Sequence, residues 1–319
     1  MPDTSLPSIE APTVTDTATG HLRLEVDWPA VLPRLDVLGP VRVVTANRAI
    51  THEKVGRFGN VSGNGHAIIV LNREIDLRIF PRHWCRTAYD PAVGAILIRN
   101  AAGQPVHAIH RTADTDAAAW DAFLDEHRAD GDLADEVESG EPPVQTVATV
   151  PADIDVAGLR AAWTAMADVH EFHGMLKRFG VARLDAMRLA GGEFAREIPL
   201  TAVTGLLESA RGDRMEIMIF VGNAGCIQIH TGTIATLRTD GALLGIDDPG
   251  FRLHVDTARL SSAWAVFKPT DKGGITTVEL YNAQGENCAI LCGQRDEDKP
   301  ERTEWRTLAR SMPDLPGVG

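Results

Sequence analysis

The sequence predicts an α+β fold with an internal duplication: two similar lobes, each with a large antiparallel β-sheet and flanking helices. Three observations lead there. Residues 47–56 (NRAITHEKVG) align with residues 223–232 (NAGCIQIHTG), with Asn first and Gly last in both. Residues 100–104 (NAAGQ) recur as 282–286 (NAQGE), each ahead of a tryptophan segment around Trp120 and Trp305, and Trp84 answers Trp264. A repeat this long is a domain, not a solenoid unit. Finally, β-prone runs joined by hairpin turns, with helical stretches grouped before and after them, indicate antiparallel sheets and not a βαβ fold.

The elements follow in order. Residues 1–20 are rich in Pro, Ser and Thr without a basic cluster or an apolar stretch, so they read as a disordered lead-in and not a secretory signal. The N-terminal lobe, 21–130, opens its sheet with a β-branched strand at 41–46. The Asn64-Gly65 turn signal precedes a strand at 66–71. Residues 75–80 alternate, with Ile75, Leu77 and Ile79 on one face and Asp76, Arg78 and Phe80 on the other. Strands at 95–99 and 106–110 flank the Ala102-Gly103 turn, and a helix is expected over 115–127. Residues 131–152 are acidic, contain proline and lack periodicity; they read as a linker.

In the C-terminal lobe, 153–319, Leu159, Trp163, Met166, His170 and His173 are spaced 4, 3, 4 and 3, forming one helical stripe. The spacing predicts a single helix capped by Asp153 or Asp155 and running to Phe179, where Gly180 stops it. Helices at 183–190 and 201–210 follow. Strands are expected at 216–221, 226–230, 251–255, 263–268, 276–281 and 288–292, and a last helix at 301–311.

Bulk properties narrow the function. A chain of 319 residues, 44% hydrophobic, is long enough to bury two cores. No apolar run approaches the ~18 residues of a membrane helix, so no membrane span is expected and the cytoplasm is the expected location. A net charge of −13 argues against nucleic acid but permits a local basic pocket for an anionic small ligand. The four cysteines form no CxxC pair and read as reduced structural thiols, not a zinc site. There is no P-loop, GxGxxG, GxSxG or HExxH pattern, so nucleotide-dependent, α/β-hydrolase and zincin chemistry lack support. A lone histidine on an apolar stripe is more often a packing residue than a ligand. Two at i and i+3 shift that balance, because either can offer an imidazole to one cavity.

Residues 167–178 (ADVHEFHGMLKR) resemble the haem-ligand helix of the HemS/ChuS/HmuS family of cytoplasmic haem-utilisation proteins. The likeness extends to HEKVGRFGN (52–60), GHAIIVLNREIDLRIF (65–80), IMIFVGNAGCIQIHTG (217–232), DPGFRLHV (248–255) and AWAVFKPT (263–270). The resemblance implies haem held between the two lobes, with His170 as the axial ligand to iron; His173, one helical turn on, is where the chain differs from the family and offers an alternative ligand. Arg78 matches the catalytic arginine over the opposite face of the ring. Phe80 and Met218 match pocket-lining positions, and Arg183, Lys268 and Arg295 match basic positions near the propionates or the rim. These residue types suit a large apolar disc with two anionic edges and an iron that takes a nitrogen donor. The chain departs from the family pattern at Phe267, Ile290 and Cys292, and at His173 itself.

The implied activity is oxidative opening of the haem ring with release of iron. Haem serves as both cofactor and substrate, and an external donor or reductase supplies electrons. The alternative is a carrier or store that passes haem to a separate haem oxygenase, with a haem importer as a further partner.

Overall fold

The computed structural model describes residues 20–132, 154–295 and 299–315. The expected lead-in up to residue 19, and the expected linker from residue 133 onward, lie outside the described residues. Two large antiparallel sheets with flanking helices carry the fold, as predicted. The strands of the first half are β1 (Leu22–Leu24), β2 (Val41–Ala46), β3 (Ile50–Gly56), β4 (Val61–Gly63), β5 (Ile68–Leu71), β6 (Asp76–Ile79), β7 (Arg86–Asp90), β8 (Ala95–Arg99), β9 (Pro105–Arg111) and β10 (Arg128–Asp132). Its helices are α1 (Trp28–Val31) and α2 (Ala117–His127). The second half carries helices α3 (Val156–Thr164), α4 (Glu171–Phe179), α5 (Arg183–Ala190), α6 (Leu200–Gly212) and α7 (Thr303–Ser311). Its strands are β11 (Ala195–Ile198), β12 (Ile217–Gly222), β13 (Cys226–Gly232), β14 (Arg238–Asp240), β15 (Leu243–Asp248), β16 (Phe251–Asp256), β17 (Leu260–Lys268), β18 (Ile275–Asn282) and β19 (Asn287–Gly293).

The described residues divide into two compact units that are not consecutive halves. The first takes the chain up to residue 132 together with Phe220–His230 and Gly245–Val255; the second takes the remainder. Within the first unit, β13 pairs with β6 and β16 pairs with β3, so strands from the second half complete sheets begun by the first. A division at residue 153 does not capture this exchange of strands. In the second unit β11, β17, β18 and β19 follow one another as antiparallel neighbours.

The duplication is visible in backbone chemistry. Asn47 Oδ1 accepts the amides of Ala49 and Ile50, and Asn223 Oδ1 accepts those of Gly225 and Cys226. Each asparagine tightens the turn before its strand with a side-chain acceptor. The two also reciprocate: Asn47 Nδ2 donates to Gly222 O (3.1 Å), and Asn223 Nδ2 donates to Ala46 O (2.9 Å). Asn100 and Asn282 form the second matched pair, each accepting two turn amides while donating to the side chain four residues on.

One expected element divides. The single helix from Asp155 to Phe179 is instead α3 and α4, separated by residues 165–170. Asp155 caps α3 through the Gly158 amide, and Gly180 ends α4 in the left-handed region, both as expected. Between them two backbone groups leave the helical ladder. The Ala167 carbonyl accepts the amide of Asp271, and the His170 amide donates to the Asp168 carboxylate. A side-chain acceptor just before a helix competes with the intrahelical bond in this way. Leu159, Trp163 and Met166 stay buried, whereas His170 and His173 are exposed and leave the stripe.

The first unit contains a buried polar seam. Thr45 Oγ1 donates to Gln228 Oε1 (2.8 Å) and lies 2.9 Å from His107 Nδ1, while Gln228 Nε2 donates to the His52 carbonyl (3.1 Å). His52 meets the Phe251 ring edge-on and His230 stacks on it at 3.6 Å. Burial pushes His52 well below the usual histidine range, His107 down to about 3 and His110 down to about 4. These side chains are therefore neutral when folded but gain protons below about pH 6.5 when unfolded. Stability falls as pH drops through that value and keeps falling towards the folded values, by about 1.4 kcal/mol per pH unit for each such histidine. His107→Gln keeps a hydrogen-bonding partner for Thr45 and removes one titrating group. The expected result is an acid limb shallower by about one proton, read from denaturation midpoints between pH 7 and 5; an unchanged slope would contradict this account.

Candidate functional site

His170 occupies the N-cap position of α4, and its side chain is 80% exposed. One carboxylate oxygen, Asp168 Oδ1, accepts both the His170 amide (2.8 Å) and ring Nδ1 (2.7 Å). These hydrogen bonds, from backbone first and ring second, hold the Asp168 carboxyl below its usual range, with Arg295 a smaller contributor. Asp168 and His170 are thus paired at the start of α4. His173 lies nearby on the same helix and is exposed. Between the two histidines, Phe172 points inward, 2% exposed, with its ring edge against Trp163 at 4.8 Å. Trp163 in turn donates from Nε1 to the Phe267 carbonyl of β17, so α3 and the start of α4 dock on that strand.

Beneath Phe172 lies a buried charge cluster. Glu279 of β18 is fully buried, and its carboxylate is saturated. Arg183 grips it with two nitrogens at 2.7 Å each, Lys268 Nζ donates at 2.6 Å, Tyr281 OH at 2.7 Å and Thr277 Oγ1 at 3.0 Å. Burial by itself would raise the Glu279 carboxyl; the Arg183 and Lys268 charges outweigh it and hold the group well below the carboxylate range. Burial also lowers Lys268, an effect that Glu279 opposes. Both cations face the Phe172 ring, Arg183 at 5.0 Å and Lys268 at 4.8 Å from its centroid. Two cations and one carboxylate leave the cluster one positive charge in excess. Arg183 keeps 29% of its side chain exposed, whereas Lys268 keeps only 6%. Arg183 can therefore meet a ligand, while Lys268 acts chiefly from behind it.

Arg78 stands on β6 in the first unit, with Ile69 and Ile227 as its cross-strand partners on the same sheet face, all three half-buried. Its Nη1 donates to the Asp76 carboxylate and to the Leu77 carbonyl. Burial raises the Asp76 carboxyl, against which the Arg78 charge works. Phe80, half-buried, ties the end of β6 to Gly225 through its amide (3.0 Å). Met218 is half-buried on the outward face of β12, alternating with buried Ile217 and Ile219. Cys292 and Cys288 are buried and their thiols are pushed up to about 12 by that burial, which disfavours the thiolate.

Two contributors escape sequence reasoning, and each carries a signal. Asp168 stands three residues before Glu171, the spacing of a helix-start capping box. Glu279 is the single charge within an otherwise β-prone run, ITTVELYN, where a buried acid must find partners.

The haemin-degrading HemS.ChuX domain matches residues 12–127 and 180–312. The hemin transport protein HmuS of Yersinia pestis is 35% identical over 311 residues, covering 95% of this chain and 89% of its own length. Apo-PhuS, a heme-binding protein from Pseudomonas aeruginosa, superposes with a TM-score of 0.87 at 37% identity, covering 92% of this chain and 87% of that one. ChuS, an E. coli heme oxygenase, superposes with a TM-score of 0.81 at 33% identity, covering 92% and 88%.

Removing the shared carboxylate leaves a buried lysine and a half-buried arginine without compensation. Glu279→Ala is expected to cost about 3–5 kcal/mol in chemical denaturation. Thr277→Val deletes one of five donors to that carboxylate and should cost about 1 kcal/mol. Equal losses in the two variants would show that Glu279 is not the centre of the cluster.

Proposed function

The chain belongs to the haemin-degrading HemS.ChuX family, and from that membership we propose that it binds haem in the cytoplasm and degrades it, releasing iron with electrons from an external donor or reductase. The observation that carries the binding half is His170. Its ring is exposed, oriented through Nδ1, and leaves Nε2 as the nitrogen available to iron. Neutral imidazole is a common axial donor to haem. Covering several hundred Å² of ring at roughly 25 cal/mol per Å² supplies on the order of 10 kcal/mol gross. Association takes back ~4 kcal/mol or more. Unpaired propionates would forfeit much of the remainder, and the surplus positive charge of the Arg183–Lys268–Glu279 cluster is suited to pair them, with Arg295 as a further proposed cation.

Arg78 carries the degradative half of the proposal. A guanidinium is always charged and donates several hydrogen bonds. Asp76 and Leu77 steady it through one nitrogen among apolar neighbours, which fits a residue that orders a polar ligand above an apolar ring. Phe80 and Met218 are proposed as apolar lining. Haem brings the redox chemistry and is itself consumed, so the protein contributes placement and electrostatics. ChuS, a heme oxygenase, favours this reading by kinship.

One observation favours a second reading, carriage without turnover. His170 and His173 both lie exposed at the start of α4, where haem could be received and surrendered. HmuS, a hemin transport protein, favours that reading by kinship.

Haemin titration followed by ascorbate or a reductase, under air with catalase, separates the two readings. Loss of the Soret band with a linear tetrapyrrole and free iron is the expected result; an unchanged spectrum with haem passing to an acceptor protein would favour carriage. His170→Ala should weaken binding or move ligation to His173. Wild-type spectra and affinity in His170→Ala, His173→Ala and the double variant would remove α4 as the iron site. Arg78→Ala should retain haem yet lose about 10²–10³-fold in turnover, the usual size for a lost transition-state donor.

A further inference from the structure

We infer that Asp168 is a positioning residue for His170: it fixes Nε2 as the nitrogen offered to iron and lends the imidazole anionic character. The inference rests on the haem reading given above and concerns how His170 is presented. An ionised carboxylate can only accept, so the 2.7 Å contact makes Nδ1 the donor and leaves the lone pair on Nε2. That length falls in the range of charge-assisted hydrogen bonds. The same oxygen also accepts the His170 amide at 2.8 Å, which ties ring and backbone of one residue to a single atom. The orientation is therefore set before a ligand arrives.

The backbone that carries the carboxylate is itself anchored. The Asp168 carbonyl accepts the Glu171 amide (3.1 Å), and the preceding carbonyl, of Ala167, accepts the Asp271 amide (3.0 Å). Phe172 then buries the next turn against Trp163. This segment departs from a continuous helix where the departure leaves His170 exposed and brings the Asp168 carboxylate to its Nδ1. While both side chains face water, the pair adds little to stability. A flat ligand that covers them removes that water, and the bond strengthens as the local dielectric falls. A carboxylate on the remote ring nitrogen raises the basicity of a ligating histidine and locks its orientation.

Two variants separate electronic from structural roles. Asp168→Asn keeps an oxygen for the His170 amide but removes the charge; Asp168→Ala removes both. Because Asp168 is exposed and Asn keeps an acceptor for the His170 amide, the thermal midpoint of Asp168→Asn without haem should match wild type, while Asp168→Ala should fall slightly with the lost acceptor. Loaded with haemin, both variants should show a more positive ferric–ferrous potential and, when reduced, a lower iron–imidazole stretching frequency. Haem affinity should fall about 10- to 100-fold in Asp168→Ala and less in Asp168→Asn. Wild-type potential and stretching frequency in Asp168→Asn would reduce Asp168 to a turn residue and overturn the inference, leaving the haem reading intact. Wild-type haem spectra and affinity in His170→Ala, His173→Ala and the double variant would overturn this inference together with the assignment of the iron site on which it rests.

Discussion

The carboxylate of Glu279 is the constraint on which the second unit's site depends. It sits at the centre of a β-strand with no access to water, where an unpaired charge would cost several kcal/mol, and five donors from three elements compensate it. Arg183 brings α5, Lys268 brings β17, and Thr277 and Tyr281 come from β18 itself. Phe172 lies over both cations, so the first turn of α4 is registered against the same cluster. The placement of His170, two residues earlier, follows from where Phe172 is held. A requirement for charge balance in the core thereby becomes a requirement on the geometry of the candidate iron ligand.

The first unit solves a different problem. Its sheets are completed by strands from the other half of the chain, and the two copies of the repeated asparagine turn meet there. Reciprocal side-chain bonds between turn residues lock strands that arrive from residues about 175 positions apart. The polar seam of Thr45, His107 and Gln228 makes the same junction in the interior. Such hydrogen bonds are demanding, since a buried polar group left unmatched costs more than a matched one contributes. They favour one register of strand pairing over its neighbours.

Much of the fold was legible. The alternation at 75–80 gave β6 its faces, with Ile79 and Leu77 buried and Arg78 outward, because side-chain period in a strand is local. Asp155 and Gly180 marked helix ends correctly for the same reason. The spacing predicts one helix over 155–179 because its period continues through residues 165–170, where the structure breaks it. The groups that interrupt it are the Asp168 side chain and an amide about a hundred residues downstream, and a spacing rule registers neither. Lys268, matched to a position near the haem edge, lies buried on Glu279, since strand pairing puts its face inward.

The amino-acid sequence alone determined the fold class, the duplication, most strand positions and the family to which the chain belongs, because all of these rest on short-range period, turn chemistry and linear motif. Only the tertiary structure decided which charges are neighbours and which histidines reach solvent. Arg183 finds Glu279 across 96 residues of chain, and the Asp271 amide reaches Ala167 from another strand's end. Contacts of that kind are set by how sheets and helices pack, and no local pattern of residues encodes them.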